Sequence, residues 1–201
     1  MEKKLTPRDL KSNEKKKRIY KAAMSLFKKY GYAQVTMKMI AAESGMSEGS
    51  IFHYYGEKAG ILDYVIHVQE ELNPILAEAR ECSADAKETV YKYLCKELEV
   101  YEELGRDLTS VVIHRVSANM IPPNGELHEI MKVIQPALTD YIKENMECGH
   151  LYSRYTPYEV AYIITSQGAG LAGIWCNFGE NYSLVENGKR AFEILIDSVF
   201  D

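Results

Sequence analysis

This sequence predicts an all-α fold. Apolar residues recur at helical spacing along nearly the whole chain, capping residues and glycines punctuate that recurrence, and no stretch offers the strict alternation and turn chemistry of a β-hairpin. The expected arrangement is a small N-terminal head of three helices, a long connecting helix and a C-terminal helical body, about nine helices in all.

The elements follow in order. Ile19, Ala22, Ala23, Leu26, Phe27 and Tyr30 share one face of a first helix, which Gly31 ends. Thr36 caps a short second helix from Met37 to about Ser44, closed by Gly45. Ser47 caps a third from Glu48 to about Tyr55, and Gly56 breaks the chain after it. A long helix is expected from about Lys58 to Ala79, with Pro74 inside it, and further helices near 85–104, 107–119, 126–147, 156–177 and 184–200. Pro122-Pro123-Asn124-Gly125 separates two of these. The apolar stripe Leu127, Ile130, Met131, Ile134, Leu138 and Tyr141 continues past Pro136, which predicts one kinked helix there rather than two. Thr156-Pro157-Tyr158-Glu159 combines a capping box with proline at the first helical position, and Ser183-Leu184-Val185-Glu186 is a second capping box.

A chain of 201 residues with 46% apolar content makes one domain of ordinary size, or a small one joined to a larger one. No apolar run approaches ~18 residues, so no membrane span is expected. The polar N-terminus has no apolar segment behind its charges, so a cytoplasmic protein without a secretory leader is expected. Cys82, Cys95, Cys148 and Cys176 lack the short spacing of zinc ligands and are expected to be buried free thiols. His67, His114, His128 and His150 are scattered, so no metal site is expected.

The net charge of −5 is unevenly spread. Residues 1–60 carry 13 Lys+Arg against six Asp+Glu, a balance of +7, and residues 61–201 carry 11 against 23, a balance of −12. A nucleic-acid contact at one end would produce a basic head on an acidic body, because neutralised phosphates release counterions. A solvated lysine-rich tail would produce it equally well.

Two short helices joined by a tight glycine turn inside a basic segment form the helix-turn-helix pattern. Ile40, Ala41, Met46, Ile51 and Tyr55 are placed to lock the pair, and Glu48, Gly49 and Ser50 give the second helix a small, polar entry. His53 and Tyr54 lie further along its exposed side. The stretch Ile19 to Tyr32, then Thr36 to Tyr55, then Lys58, resembles the DNA-binding head of the TetR family of bacterial transcriptional regulators. The family's glycine, small hydroxyl residue, apolar residue and aromatic pair match Gly49, Ser50, Ile51, Tyr54 and Tyr55, and Lys58 stands where the family usually has a lysine.

The resemblance implies a DNA-binding domain over 13–73, with its helix-turn-helix at 36–55, and a ligand-binding and dimerisation domain over 74–201. Thr36, Ser47, Tyr54 and Lys58 would then position the head on phosphates, while Gly49, Ser50, Phe52 and His53 would face the major groove. Two residues depart from the family pattern. Glu48 replaces a common basic residue and can accept from a cytosine amino group; Phe52 replaces a common tyrosine, losing a hydroxyl but able to touch a thymine methyl. Lys15-Lys16-Lys17-Arg18 reads either as an added DNA contact or as a mobile solubilising tail. The implied partners are a double-stranded DNA operator, a second copy of the chain and a small-molecule effector, with no cofactor and no enzymatic activity.

For the body, the resemblance implies that the helices at 156–177 and 184–200 pair with their copies. Gly168, Gly170, Leu171, Ile174, Leu195 and Val199 are the candidate dimer contacts. Tyr101, His114, Met120, Trp175 and Phe178 are candidate pocket walls, since pockets favour aromatic linings with few polar groups. A rival reading comes from Gly168-Ala169-Gly170-Leu171-Ala172-Gly173, which satisfies Gly-x-Gly-x-x-Gly and would suit a dinucleotide-dependent enzyme. It works only at a strand-to-helix turn in a parallel unit, and here it follows a helix start. A protein-binding module that keeps the fold without reading an operator is a third reading.

Overall fold

The computed structural model describes residues 6–62, 64–82, 84–119, 131, 134–177 and 182–200. The chain divides into two compact units, the first ending at residue 63 and the second beginning at residue 64, ahead of the expected boundary at 73. Nine α-helices and no strand occur among the described residues.

The first unit holds α1 (Pro7–Tyr30), α2 (Met37–Ser44), α3 (Glu48–Tyr55) and a 3-10 turn at Ala59–Leu62. Ile19, Ala23 and Phe27 of α1 are buried with Val35, Ile40, Ile51 and Ile61. The helical face that begins at Ile19 is therefore the core face of this unit as far as Phe27, whereas Tyr30 is exposed. However, α1 starts well before it, at Pro7, so Lys15 to Arg18 belong to a helix and not to a tail. The long helix expected from Lys58 is also corrected. The backbone N–H groups of Gly60 and Ile61 donate to the carbonyls of Glu57 and Lys58, three residues back, which tightens this stretch into a 3-10 turn.

The second unit comprises α4 (Tyr64–Cys82), α5 (Ala86–Leu104), α6 (Arg106–Asn119), α7 (Pro136–Glu147), α8 (Pro157–Trp175) and α9 (Leu184–Val199). α5 is its central element and packs against all five others. Val90, Tyr93, Leu94 and Leu98 of α5 are buried among Leu72, Leu76, Leu138, Ile164, Phe192 and Ile196. Pro74 lies inside α4, as expected. The kinked helix expected through Pro136 is instead a break. Gln135 leaves helical geometry at φ −139, ψ 60, and Pro136 opens α7 in the first turn, where its missing N–H costs nothing. Pro122 to Gly125 lie outside the described residues.

Local chemistry fixes the helix ends. The Thr156–Glu159 capping box is complete: Thr156 N–H donates to Glu159 Oε2 (2.8 Å) and Glu159 N–H donates to Thr156 Oγ1 (3.3 Å). At the start of α9, Ser183 Oγ accepts from Glu186 N–H at 3.2 Å. Glu102 reaches the same terminus from α5, accepting from the Ser183 hydroxyl (2.9 Å) and from the N–H groups of Leu184 and Val185. An acid at a helix N-terminus is favoured by the helix dipole, so this contact pins α9 to α5.

Candidate nucleic-acid interface

Gly45 makes the turn between α2 and α3 possible. Its φ of 62 and ψ of 31 are left-handed, and Met46 N–H closes the turn on Ala41 O at 3.1 Å. Ile40, Ala41 and Ile51 are buried as the lock requires, while Met46 and Tyr55 are half-buried. α1 adds two ties that the sequence did not reveal. The Arg18 guanidinium donates to Gly45 O (3.4 Å) and to Met46 Sδ (2.8 Å), and the Tyr55 hydroxyl donates to Lys16 O (2.9 Å). The basic run is therefore fastened at both ends of the turn-and-helix segment.

On α3, Ser47 caps the helix by accepting from Ser50 N–H (3.2 Å), and its hydroxyl also bonds the Ser50 hydroxyl (2.8 Å). Ile51 faces the core. Glu48, Gly49, Phe52 and His53 are exposed and form one face, since residues three and four apart are neighbours on a helix. Phe52 stands out as 49% exposed. Tyr54 is half-buried and meets the His53 ring edge-on at 5.5 Å between centroids.

The candidate phosphate contacts are less uniform. Thr36 caps α2, its hydroxyl accepting from Met39 N–H at 3.2 Å. Lys58 holds the loop between α1 and α2: its ammonium donates to Tyr32 O and Val35 O, each at 2.8 Å, and lies 4.3 Å from the Tyr32 ring centroid. Partial burial pushes its pKa below the ordinary lysine value. Lys58 thus has a structural role, which its spacing from Tyr55 gave no reason to expect.

Of the five candidate pocket residues, Tyr101, His114 and Trp175 lie among the described residues. Tyr101 is buried and its hydroxyl donates to Glu97 Oε1 at 3.5 Å. That carboxylate also accepts from Gln135 Nε2 (3.1 Å), whose Oε1 accepts from Tyr93 (2.8 Å). Burial and the nearby Glu97 charge push the Tyr93 hydroxyl far above the ordinary tyrosine range. Trp175 packs under the Arg106 guanidinium at 4.9 Å and donates to Tyr182 O at 3.0 Å. His114 is exposed, and Met120 and Phe178 lie outside the described residues. A surface groove of about 490 Å³ lies beside the Arg80–Glu144 ion pair, and Tyr101, His114 and Trp175 do not line it.

Two of the candidate dimer contacts face inward. Gly168 is buried, with Glu97 and Phe192 beside it, and Val199 belongs to the chain's own core. Leu171 and Leu195 are half-buried against that core. Gly170 and Ile174 remain outward, and Tyr162 and Ile194 are exposed as well. The glycine that close helix packing does require is Gly188 of α9, where any Cβ would collide with the Leu98 side chain. The motif from Gly168 to Gly173 lies wholly inside α8, so it is not the strand-to-helix turn that a dinucleotide cradle needs. Cys82 and Cys148 are exposed, which corrects the expectation of four buried thiols. Among the described residues no cluster could hold a metal, and no helix is long and apolar enough to cross a membrane.

A capped eight-residue helix, locked through a left-handed glycine to a second short helix and presenting a free face beside a basic helix, is a helix-turn-helix. Residues 19–65 of the chain match the model for bacterial regulatory proteins of the tetR family. It is similar to the uncharacterized HTH-type transcriptional regulator YerO of Bacillus subtilis, 28% identical over 144 residues, covering 70% of this chain and 45% of YerO. The chain therefore spans less than half the length of that relative. It is also similar to the HTH-type transcriptional repressor BepR of Brucella suis, 22% identical over 194 residues and 92% of each chain. Among solved structures, the TetR-family repressor FadR of Thermus thermophilus, in complex with lauroyl-CoA, shares the fold at a TM-score of 0.71 and 19% identity, over 90% of this chain and 93% of its own. FadR of Bacillus subtilis, in complex with stearoyl-CoA, does so at 0.57 and 20% identity, over 91% of this chain and 98% of its own.

Proposed function

We propose that this chain represses transcription by binding a pseudo-palindromic operator as a homodimer, and that a small molecule bound in the second unit releases it. The free face of α3 carries the reading: Glu48, Gly49, Phe52 and His53 are all exposed on a helix whose opposite side is locked into the head. On that reading the face enters the major groove, while Ser47, Thr36 and Tyr54 lie against phosphates. The basic α1 adds salt-dependent affinity. Two recognition helices read one side of the duplex only when they stand about one helical turn, ~34–36 Å, apart, which makes the operator palindromic. Likeness to repressors such as BepR supports the sign of regulation.

Selection from randomised duplexes tests the proposal. The expected result is a palindromic consensus bound with affinity that falls steeply with salt, and a selection that returns no shared sequence refutes it. For the effector, likeness to the two acyl-CoA-bound FadR proteins makes long-chain acyl-CoA thioesters the first compounds to screen for operator release. The acidic balance of residues 61–201 makes organic cations the second class.

A further inference from the structure

We propose that Phe52 reads a thymine methyl group, so that each operator half-site carries an A·T pair whose thymine lies against its ring. The inference rests on operator binding as read above and adds the chemistry of one contacted base. Phe52 is 49% exposed in the middle of α3. It shares its face with Gly49, three residues before it, and Glu48, four before it, both exposed. Apart from its chain neighbours and the helix backbone, nothing lies within 4 Å of where a Gly49 Cβ would stand, so the face is open beside Phe52.

A phenyl ring cannot hydrogen-bond a phosphate or a base edge, so a role in the groove must be apolar. The major groove offers one apolar group that distinguishes a base, the thymine 5-methyl; the other groups there are donors and acceptors. Glu48 accepts but cannot donate, and His53 is polar. Within this face, methyl recognition therefore falls to Phe52 alone.

Uracil, which pairs as thymine does but lacks the methyl, isolates the contact. In the selected operator, each thymine is replaced in turn by deoxyuridine, symmetrically in both half-sites, and affinity is measured for the full-length wild-type chain and for Phe52→Ala. One symmetric position should lose about fourfold per half-site, the fold-change for burying one methyl-sized group, and about 15-fold in all. Phe52→Ala should bind the thymine and uracil operators equally, with unchanged helical circular dichroism. If that variant does not fold, the wild-type scan still decides. An operator in which no uracil weakens wild-type binding beyond twofold overturns the inference while operator binding stands. A uracil penalty that survives in a folded Phe52→Ala protein also overturns it. Failure to select any operator removes the functional reading and this inference together.

Discussion

Gly49 pays a helix penalty with no structural return. Its backbone is helical, so it needs no left-handed freedom, and no neighbour would obstruct a Cβ. Glycine inside a helix costs about 0.8–1 kcal/mol relative to alanine. The residue fits a surface that a duplex must approach closely. Gly49→Ala should therefore raise the stability of the head by about 0.5–1 kcal/mol in denaturant unfolding and weaken operator binding tenfold or more. An alanine variant that binds as tightly as the wild type would show that the backbone does not approach the bases there. Thr36 and Ser47 were readable from sequence because capping is settled within three residues. Lys58 was only half readable: its position suits a phosphate contact, but its bonds to Tyr32 and Val35 arise from a loop 23 residues or more earlier. Glu97 was not readable at all, since an acid on a helix ordinarily reads as a solvated face, and only its place at the centre of α5 buries it.

Element boundaries repeat that division between local and distant causes. α2, α3 and the starts of α8 and α9 were legible because caps and glycines set them. The start of α1 was not, because the polar residues before Ile19 carry no apolar stripe. The break at Gln135 was hidden by a stripe that runs straight across it. The capping box of α8 makes a pH prediction. Hydrogen bonds from the Thr156 backbone N–H and hydroxyl hold the Glu159 carboxyl below the ordinary glutamate value. The folded state therefore prefers the carboxylate. Its stabilisation is present above the unfolded-state pKa and is lost as pH falls through the depressed folded-state value. Thermal unfolding between about pH 5 and pH 3 should show a steeper loss of Tm for the wild type than for Glu159→Gln, which cannot titrate. Parallel profiles would mean that the ionised carboxylate adds no stability over the neutral amide.

Across the second unit, sequence showed that α8 and α9 are apolar but not which of their sides faces inward. In α9, Phe192, Ile196 and Val199 face the chain's own core, while Ile194, two residues from Phe192 and Ile196, lies outside it. Pairing with a copy should therefore use the outer side, Tyr162, Gly170 and Ile174 of α8 with Ile194 of α9, rather than Gly168 and Val199. Tyr162, Ile174 and Ile194 are 47%, 54% and 57% exposed, and large apolar side chains left outside on two packed helices suit an association surface. Gly170 has open space above it, so a copy could approach closely along α8. Ile174→Asp together with Ile194→Asp places charges on that side without touching the core. The wild type should sediment as a dimer at micromolar concentration and the double variant as a folded monomer. Its operator affinity should fall at least a hundredfold, because one head alone reads one half-site. Gly188→Ala serves as the contrast. Its methyl meets Leu98 inside the chain, so it should lower Tm with a cost of about 1–3 kcal/mol and leave the sedimenting species dimeric. A double aspartate variant that remains dimeric would place the pairing surface on other helices.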